Sequence, residues 1–117
     1  CPSTNKTRYL LGEKELKRMK KNAFLINTAR GDNVNERALL KALKNQWIAG
    51  AGIDTFEEEP PDLSGDIFSL RNLIATPHIG GTAKESFIKM GVTSAKLILK
   101  VLNNKISEID DKYFVVK

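Results

Sequence analysis

An arginine, an aspartate, a glutamate and the single histidine of this chain follow short apolar runs, and together they could serve hydride transfer. They lie in Asn27-Thr28-Ala29-Arg30-Gly31, in Gly50-Ala51-Gly52-Ile53-Asp54 running into Glu57-Glu58-Glu59-Pro60-Pro61, and in Thr76-Pro77-His78-Ile79-Gly80-Gly81. Reducing a 2-keto acid needs a fixed cation for the substrate carboxylate, and a forked guanidinium binds one bidentately. It also needs a general acid for the carbonyl oxygen, and histidine is the usual choice near neutral pH. A carboxylate beside that histidine favours its protonated form. Arg30, His78 and Glu59 can fill these roles in that order. The hydride must come from a nicotinamide cofactor, because no side chain supplies one.

For these residues to meet, the apolar runs before them must be neighbouring strands. Ala23–Asn27, Ile48–Asp54 and Leu73–Thr76 read as parallel strands whose carboxyl ends share one edge, the edge where open α/β sheets bind ligands. Glu13–Lys21 reads as a short helix with Leu16 and Met19 on one face, acidic at its start and basic at its end. Asn35 is a candidate N-cap, with Val34 placed to staple against Leu39 and with Leu39, Leu40 and Leu43 as the buried stripe. Gly50 and Gly52 signal close approach to the second strand by a cofactor or a packed helix. Residues 57–66 form an acidic, proline-rich loop, followed by an apolar turn at Ile67–Leu70. Thr82 and Glu85 form a capping-box pattern opening a helix to about Leu102, with Phe87, Gly91, Ala95, Ile98 and Leu102 on a core face. The tail ends in Tyr113-Phe114-Val115-Val116, an edge strand or docking segment. This order of elements predicts an α/β chain: the second half of a Rossmann-type doubly wound parallel sheet, with a long C-terminal helix.

In order and spacing, these motifs resemble the C-terminal part of the NAD-dependent D-isomer-specific 2-hydroxyacid dehydrogenases, from Cys1 to about Asn104. The resemblance implies that Arg30 binds substrate, that Glu59 rather than Glu57 or Glu58 pairs with the catalytic His78, and that Asp54 contacts the nicotinamide end of the cofactor. It implies that Thr28, Ala29, Arg30, Ile79, Gly80 and Gly81 approach the cofactor, with His78 among them. Cys1-Pro2-Ser3-Thr4 with Thr7 is similar to the loop that touches the cofactor from the other side, so Pro2 and Thr7 join that set. It further implies NAD or NADP as cofactor, a 2-hydroxy/2-keto acid substrate, a cytoplasmic homodimer, and a division into residues 1–104 and a tail of 105–117 docking on a substrate domain. The same family includes NAD-sensing corepressors that keep these residues, so a non-catalytic binding protein is the rival expectation. A truncated remnant that folds without activity is a second.

Each motif has a plainer reading: a surface histidine, a solvated glutamate run, a turn-capping aspartate, an arginine before a strand-ending glycine. The joint occurrence in sequence order favours the site. Composition is that of a globular protein, with 41% hydrophobic and 28% charged residues among 117. No apolar run approaches the ~20 residues that cross a bilayer. The single Cys1 excludes an internal disulfide and fits a reducing compartment. The net charge of +5 raises nucleic acid as a partner, but the lysines are spread over helix faces without interleaved aromatics, so none is expected. No G-x-G-x-x-G turn is present, and the chain opens on cysteine. A piece of a longer polypeptide is expected, holding the catalytic residues but not the main grip on the cofactor.

Overall fold

A computed structural model describes residues 1–113. They form two compact units, Cys1–Gly80 and a second beginning at Gly81.

In the first unit the order is α1 (Glu13–Arg18), β1 (Phe24–Asn27), α2 (Glu36–Lys44), β2 (Gly50–Ile53) and β3 (Leu73–Ala75). The strands form one parallel sheet in the order β1-β2-β3, with Leu25 opposite Ala51 and Ile53 opposite Ala75. The strand reading therefore holds, with each strand trimmed at its ends. The first helix stops at Arg18 rather than Lys21, because the chain turns there to enter β1 and Ala23 N–H donates to the Lys20 carbonyl at 2.9 Å. Asn35 caps α2 as expected, its Oδ1 accepting from Ala38 N–H at 2.9 Å. Leu39 and Leu43 are buried and Leu40 packs at the margin, while Val34 shares the same core.

That core lies on one face of the sheet. Leu25, Ala51 and Ile53 meet Leu16 of α1 and Leu39 and Leu43 of α2. The other face carries Phe24, Ile26 and Ile74, each more than two-thirds exposed. Close approach at Gly50 and Gly52 comes from this face rather than from a helix. A Cβ at Gly50 would meet the Phe24 ring at 3.1 Å and the Asn72 carbonyl at 2.8 Å; one at Gly52 would meet Ile26 at 3.1 Å. The glycines let the large β1 side chains lie across β2.

The second unit contains α3 (Lys84–Leu102) followed by short 3₁₀ turns at Ile106–Glu108 and Asp111–Tyr113. Its N-cap is Ala83, so the threonine expected to cap it stands one residue too early. None of the α3 residues is buried, and Phe87, Gly91, Ala95, Ile98 and Leu102 are all exposed. The expected core face is therefore uncovered. Apolar side chains such as Ile88 and Leu99 also lie outside that stripe, and within this unit the turn at Ile106–Glu108 packs on the helix. Tyr113 closes the last turn, and the rest of the expected edge strand, Phe114 to Val116, lies outside the described residues. No helix among the described residues is long and apolar enough to cross a membrane.

Candidate active site

β1 ends in a turn that its own last residue builds. Buried Asn27 accepts from Ala29 N–H through Oδ1 at 3.1 Å and donates through Nδ2 to the Arg30 carbonyl at 2.9 Å. This side chain–backbone clasp fixes where Arg30 leaves the strand. Gly31 then lies against the loop after β2, where a Cβ would collide with the carbonyl carbon and oxygen of Phe56. No side chain fits there, so Arg30 is held beside the residues that lead into Glu59. Its Nη1 donates to the Ala29 carbonyl at 2.7 Å, and among the described residues no ion pair occupies the guanidinium.

Glu59 and His78 arrive from different loops and meet. Glu59 Oε1 accepts from Phe56 N–H at 3.0 Å, which leaves Oε2 for His78 Nδ1 at 2.8 Å. The His78 hydrogen bond, with the Phe56 N–H adding to it against desolvation, holds the Glu59 carboxyl below its ordinary pKa. An ionised carboxylate only accepts, so Nδ1 carries the proton of this bond and Nε2 is the nitrogen left for a substrate. The His78 backbone has φ +54°, a left-handed conformation that turns the ring out of the strand direction.

Asp54 organises the histidine loop. Buried at the end of β2, it accepts from the Thr76 hydroxyl at 2.5 Å and Ile79 N–H at 2.9 Å through Oδ1, and from Gly80 N–H at 2.8 Å through Oδ2. The Thr76 bond first, then the Gly80 and Ile79 amides, lower its pKa despite desolvation. Since the folded value lies below the unfolded one, this contribution is complete above ~pH 4 and is lost as pH falls through the folded value. A Cβ on Gly80 would sit 2.8 Å from Asp54 Oδ2. Gly80→Ala is therefore expected to cost about 1–3 kcal/mol of stability through overpacking. The urea midpoint of the variant measures it; an unchanged midpoint would mean that the loop yields freely.

Glu57 is not an idle loop residue. It accepts from Glu36 N–H at 2.8 Å and from the Tyr9 hydroxyl at 2.8 Å, and its own N–H donates back to Glu36. It thus closes the start of α2 and ties the first loop to the second. Burial raises the pKa of Glu36 in this clasp. Glu58 is exposed, in keeping with a solvated loop position.

These elements surround an open cleft of about 500 Å³ lined by Arg8, Arg30, Gly31, Asp32, Phe56, Glu57, Glu59 and His78. It lies at the carboxyl ends of the strands. A larger cleft of about 650 Å³ lies at the opposite edge, among Ile48, Ala49 and Asn72, which precede strands; it contains neither the histidine nor a carboxylate. Arg30, Glu59 and His78 therefore share the smaller one. Arg8 and Tyr9 escape a sequence reading, since an Arg-Tyr pair in a loop carries no motif. Asn27 stands in the motif that leads to Arg30, but its clasp on Ala29 and Arg30 shows only in the fold.

The residues expected to meet a cofactor fall into three groups. Thr28 and Ala29 follow β1, and Ile79 and Gly80 follow β3; the Thr28 Cβ lies 3.9 Å from the Cβ position of Gly80, so these two loops touch. Exposed Thr28 and half-exposed Ile79 offer a polar group and an apolar surface beside His78, which suits the nicotinamide end of a dinucleotide. Pro2 and Thr7 belong to the first loop, where the Thr7 hydroxyl is already used, donating to the Pro2 carbonyl at 2.7 Å and accepting from Thr4 N–H at 2.8 Å. Gly81 opens the second unit, and a Cβ there would meet nothing within 4 Å. A pyrophosphate has no seat on α2, whose N-terminus is closed by Asn35 and Glu57.

Residues 1–80 match the family model described as "D-isomer specific 2-hydroxyacid dehydrogenase, NAD binding domain", the same span as the first compact unit. The chain is 48% identical over 105 residues to a glyoxylate reductase of Thermococcus litoralis, covering 90% of this chain and 31% of that protein. It superposes on the TT0316 protein of Thermus thermophilus with a TM-score of 0.84 and 35% identity, covering 90% of this chain and 33% of the other. An acyclic imino acid reductase solved with NADPH and D-Arg gives a TM-score of 0.80 at 33% identity, with 90% and 33% covered. The chain thus spans about a third of the length of these relatives.

Proposed function

The chain belongs to the D-isomer-specific 2-hydroxyacid dehydrogenases, through their NAD-binding domain, and from this we propose that it carries the catalytic residues of a D-2-hydroxyacid dehydrogenase. In this reading it is the second half of the dinucleotide-binding domain, with residues 105–117 as a tail docking on a substrate domain elsewhere in a longer polypeptide. The substrate pair is a small 2-keto acid and its 2-hydroxy acid, as the name of the glyoxylate reductase relative supports. When bound, a nicotinamide dinucleotide, NAD or NADP, supplies or takes up the hydride.

This chain's own residues do the rest. Arg30, whose guanidinium is in no ion pair among the described residues, holds the substrate carboxylate and orients the carbonyl. His78 presents Nε2 to the carbonyl oxygen and delivers a proton to it during reduction, taking one from the hydroxyl in the reverse direction. Glu59 holds the imidazole from behind and fixes its orientation and tautomer. Asp54 keeps the histidine loop in register, while Thr28, Ala29, Arg30, His78, Ile79 and Gly80, continued by Gly81, together with Pro2 and Thr7, flank the cofactor. A homodimer in the cytoplasm accords with this reading, as does an exposed, unpaired Cys1.

The observation that carries the proposal is the 2.8 Å contact between Glu59 Oε2 and His78 Nδ1 in a cleft that Arg30 also lines. Glutamine at each of the three glutamates tests it in the full-length polypeptide. Glu59→Gln is expected to lower kcat about ten- to a hundredfold, the worth of one charge-assisted hydrogen bond. Glu57→Gln should instead lower stability, and Glu58→Gln should change little. A rate loss confined to Glu57→Gln would mean that the histidine's partner is wrongly assigned. NADH-dependent dimerisation with no turnover on any 2-keto acid would favour a sensor.

A further inference from the structure

The reaction proposed above uses one guanidinium of the cleft, but the cleft contains two. Arg8 comes from the first loop, not from a strand end. Its guanidinium lies over the Tyr9 ring, 5.2 Å from the centroid. Tyr9 is itself fixed: its backbone takes φ +52°, its N–H donates to the Asp32 carbonyl at 2.6 Å and its hydroxyl donates to Glu57 at 2.8 Å. A ring held at both ends is a rigid platform, and a guanidinium stacked on it loses less freedom when it takes a ligand.

The carboxylates that line the cleft are already engaged. Asp32 accepts from the Ser3 hydroxyl at 2.6 Å, Glu57 from Glu36 N–H and Tyr9, and Glu59 from Phe56 N–H and His78. Among the described residues Arg8 has no carboxylate within ion-pair distance. A substrate whose carboxylate sits on Arg30 and whose carbonyl faces His78 directs its remaining atoms at the rest of this lining. The cation left there for them is Arg8.

We propose that Arg8 is a specificity-determining residue that recognises a second oxyanion on the substrate, so that the site favours 2-keto acids carrying a distal phosphate or carboxylate over their uncharged counterparts. This rests on the reading of Arg30 and His78 given above.

Matched substrate pairs test it in the full-length protein with its nicotinamide cofactor. Hydroxypyruvate against 3-phosphohydroxypyruvate isolates a phosphate; pyruvate against oxaloacetate isolates a carboxylate. The quantity read is the ratio of kcat/KM within each pair. Arg8→Gln is expected to reduce the preference for the charged member by about tenfold or more, the loss of one charge-assisted contact, and Arg8→Lys to retain part of it. Collapse of the phosphate pair alone identifies a phosphate as the ligand, and collapse of the carboxylate pair alone a carboxylate. Ratios that stay within about twofold of wild type in both pairs overturn the role of Arg8, as does an equal fall for both members of each pair, which is the mark of a purely structural residue. If glyoxylate is reduced while the ratios do not move, only this inference fails. If wild type reduces no 2-keto acid at all, the dehydrogenase reading fails and takes the inference with it.

Discussion

His78→Asn in the full-length polypeptide is expected to lower kcat for 2-keto acid reduction by about 10²–10⁴-fold, the usual contribution of a positioned general acid. Asparagine isolates this effect. The position has φ +54°, which asparagine tolerates better than most residues, so the backbone of the loop is retained. Its side-chain amide can still donate to Glu59, which keeps the partner at 2.8 Å occupied. What it lacks is an ionisable group to deliver a proton. The loss should therefore appear in kcat and kcat/KM alike, followed through consumption of the reduced cofactor, with an unchanged unfolding midpoint. Turnover within a few-fold of wild type would remove His78 from the chemistry.

Arg30→Lys is expected to cost about 2–4 kcal/mol of transition-state stabilisation, roughly thirty- to a thousandfold in kcat/KM. Lysine keeps the charge but replaces a planar fork by a point donor on a flexible stem, so bidentate grip and carbonyl alignment are lost together. Its backbone position would not change, because Asn27 and Gly31 fix it rather than the arginine side chain. Steady-state kinetics on the best 2-keto acid decide the matter. A variant that keeps kcat/KM within a few-fold would show that the substrate carboxylate is bound elsewhere.

Much of the cleft was legible along the chain because its chemistry is local to strand ends. Apolar runs of strand length, each closed by a polar residue, placed Arg30, Asp54 and His78 on one edge of a parallel sheet, and the resemblance to the 2-hydroxyacid dehydrogenases pointed to Glu59, the glutamate before the proline, as His78's partner. The N-cap Asn35 and the stripe of Leu39 and Leu43 followed from spacing alone, since capping and helical periodicity act over a few residues. The sequence also carried the absence of a glycine-rich phosphate turn.

Other features depended on residues far apart in the chain. Asp54 read as a group facing a cofactor; that its oxygens also accept from Thr76, Ile79 and Gly80, more than twenty positions away, became visible only in the fold. Glu57 read as a solvated loop residue and is a clasp between Tyr9 and the start of α2, with partners 48 and 21 positions distant. Gly31 read as a strand-end glycine and is the point where the Phe56 backbone passes too close for any side chain. Gly50 and Gly52 read as making room for a helix or cofactor and make room for Phe24 and Ile26. The apolar stripe on α3 gave no sign that these residues would stay exposed, because periodicity names the face that seeks cover and not the surface that provides it. Local spacing determined which residue types stand at the sheet edge; only folding decided which of their atoms were already spoken for, because hydrogen-bond partners and steric neighbours are set by the packing of loops that the linear chain keeps apart.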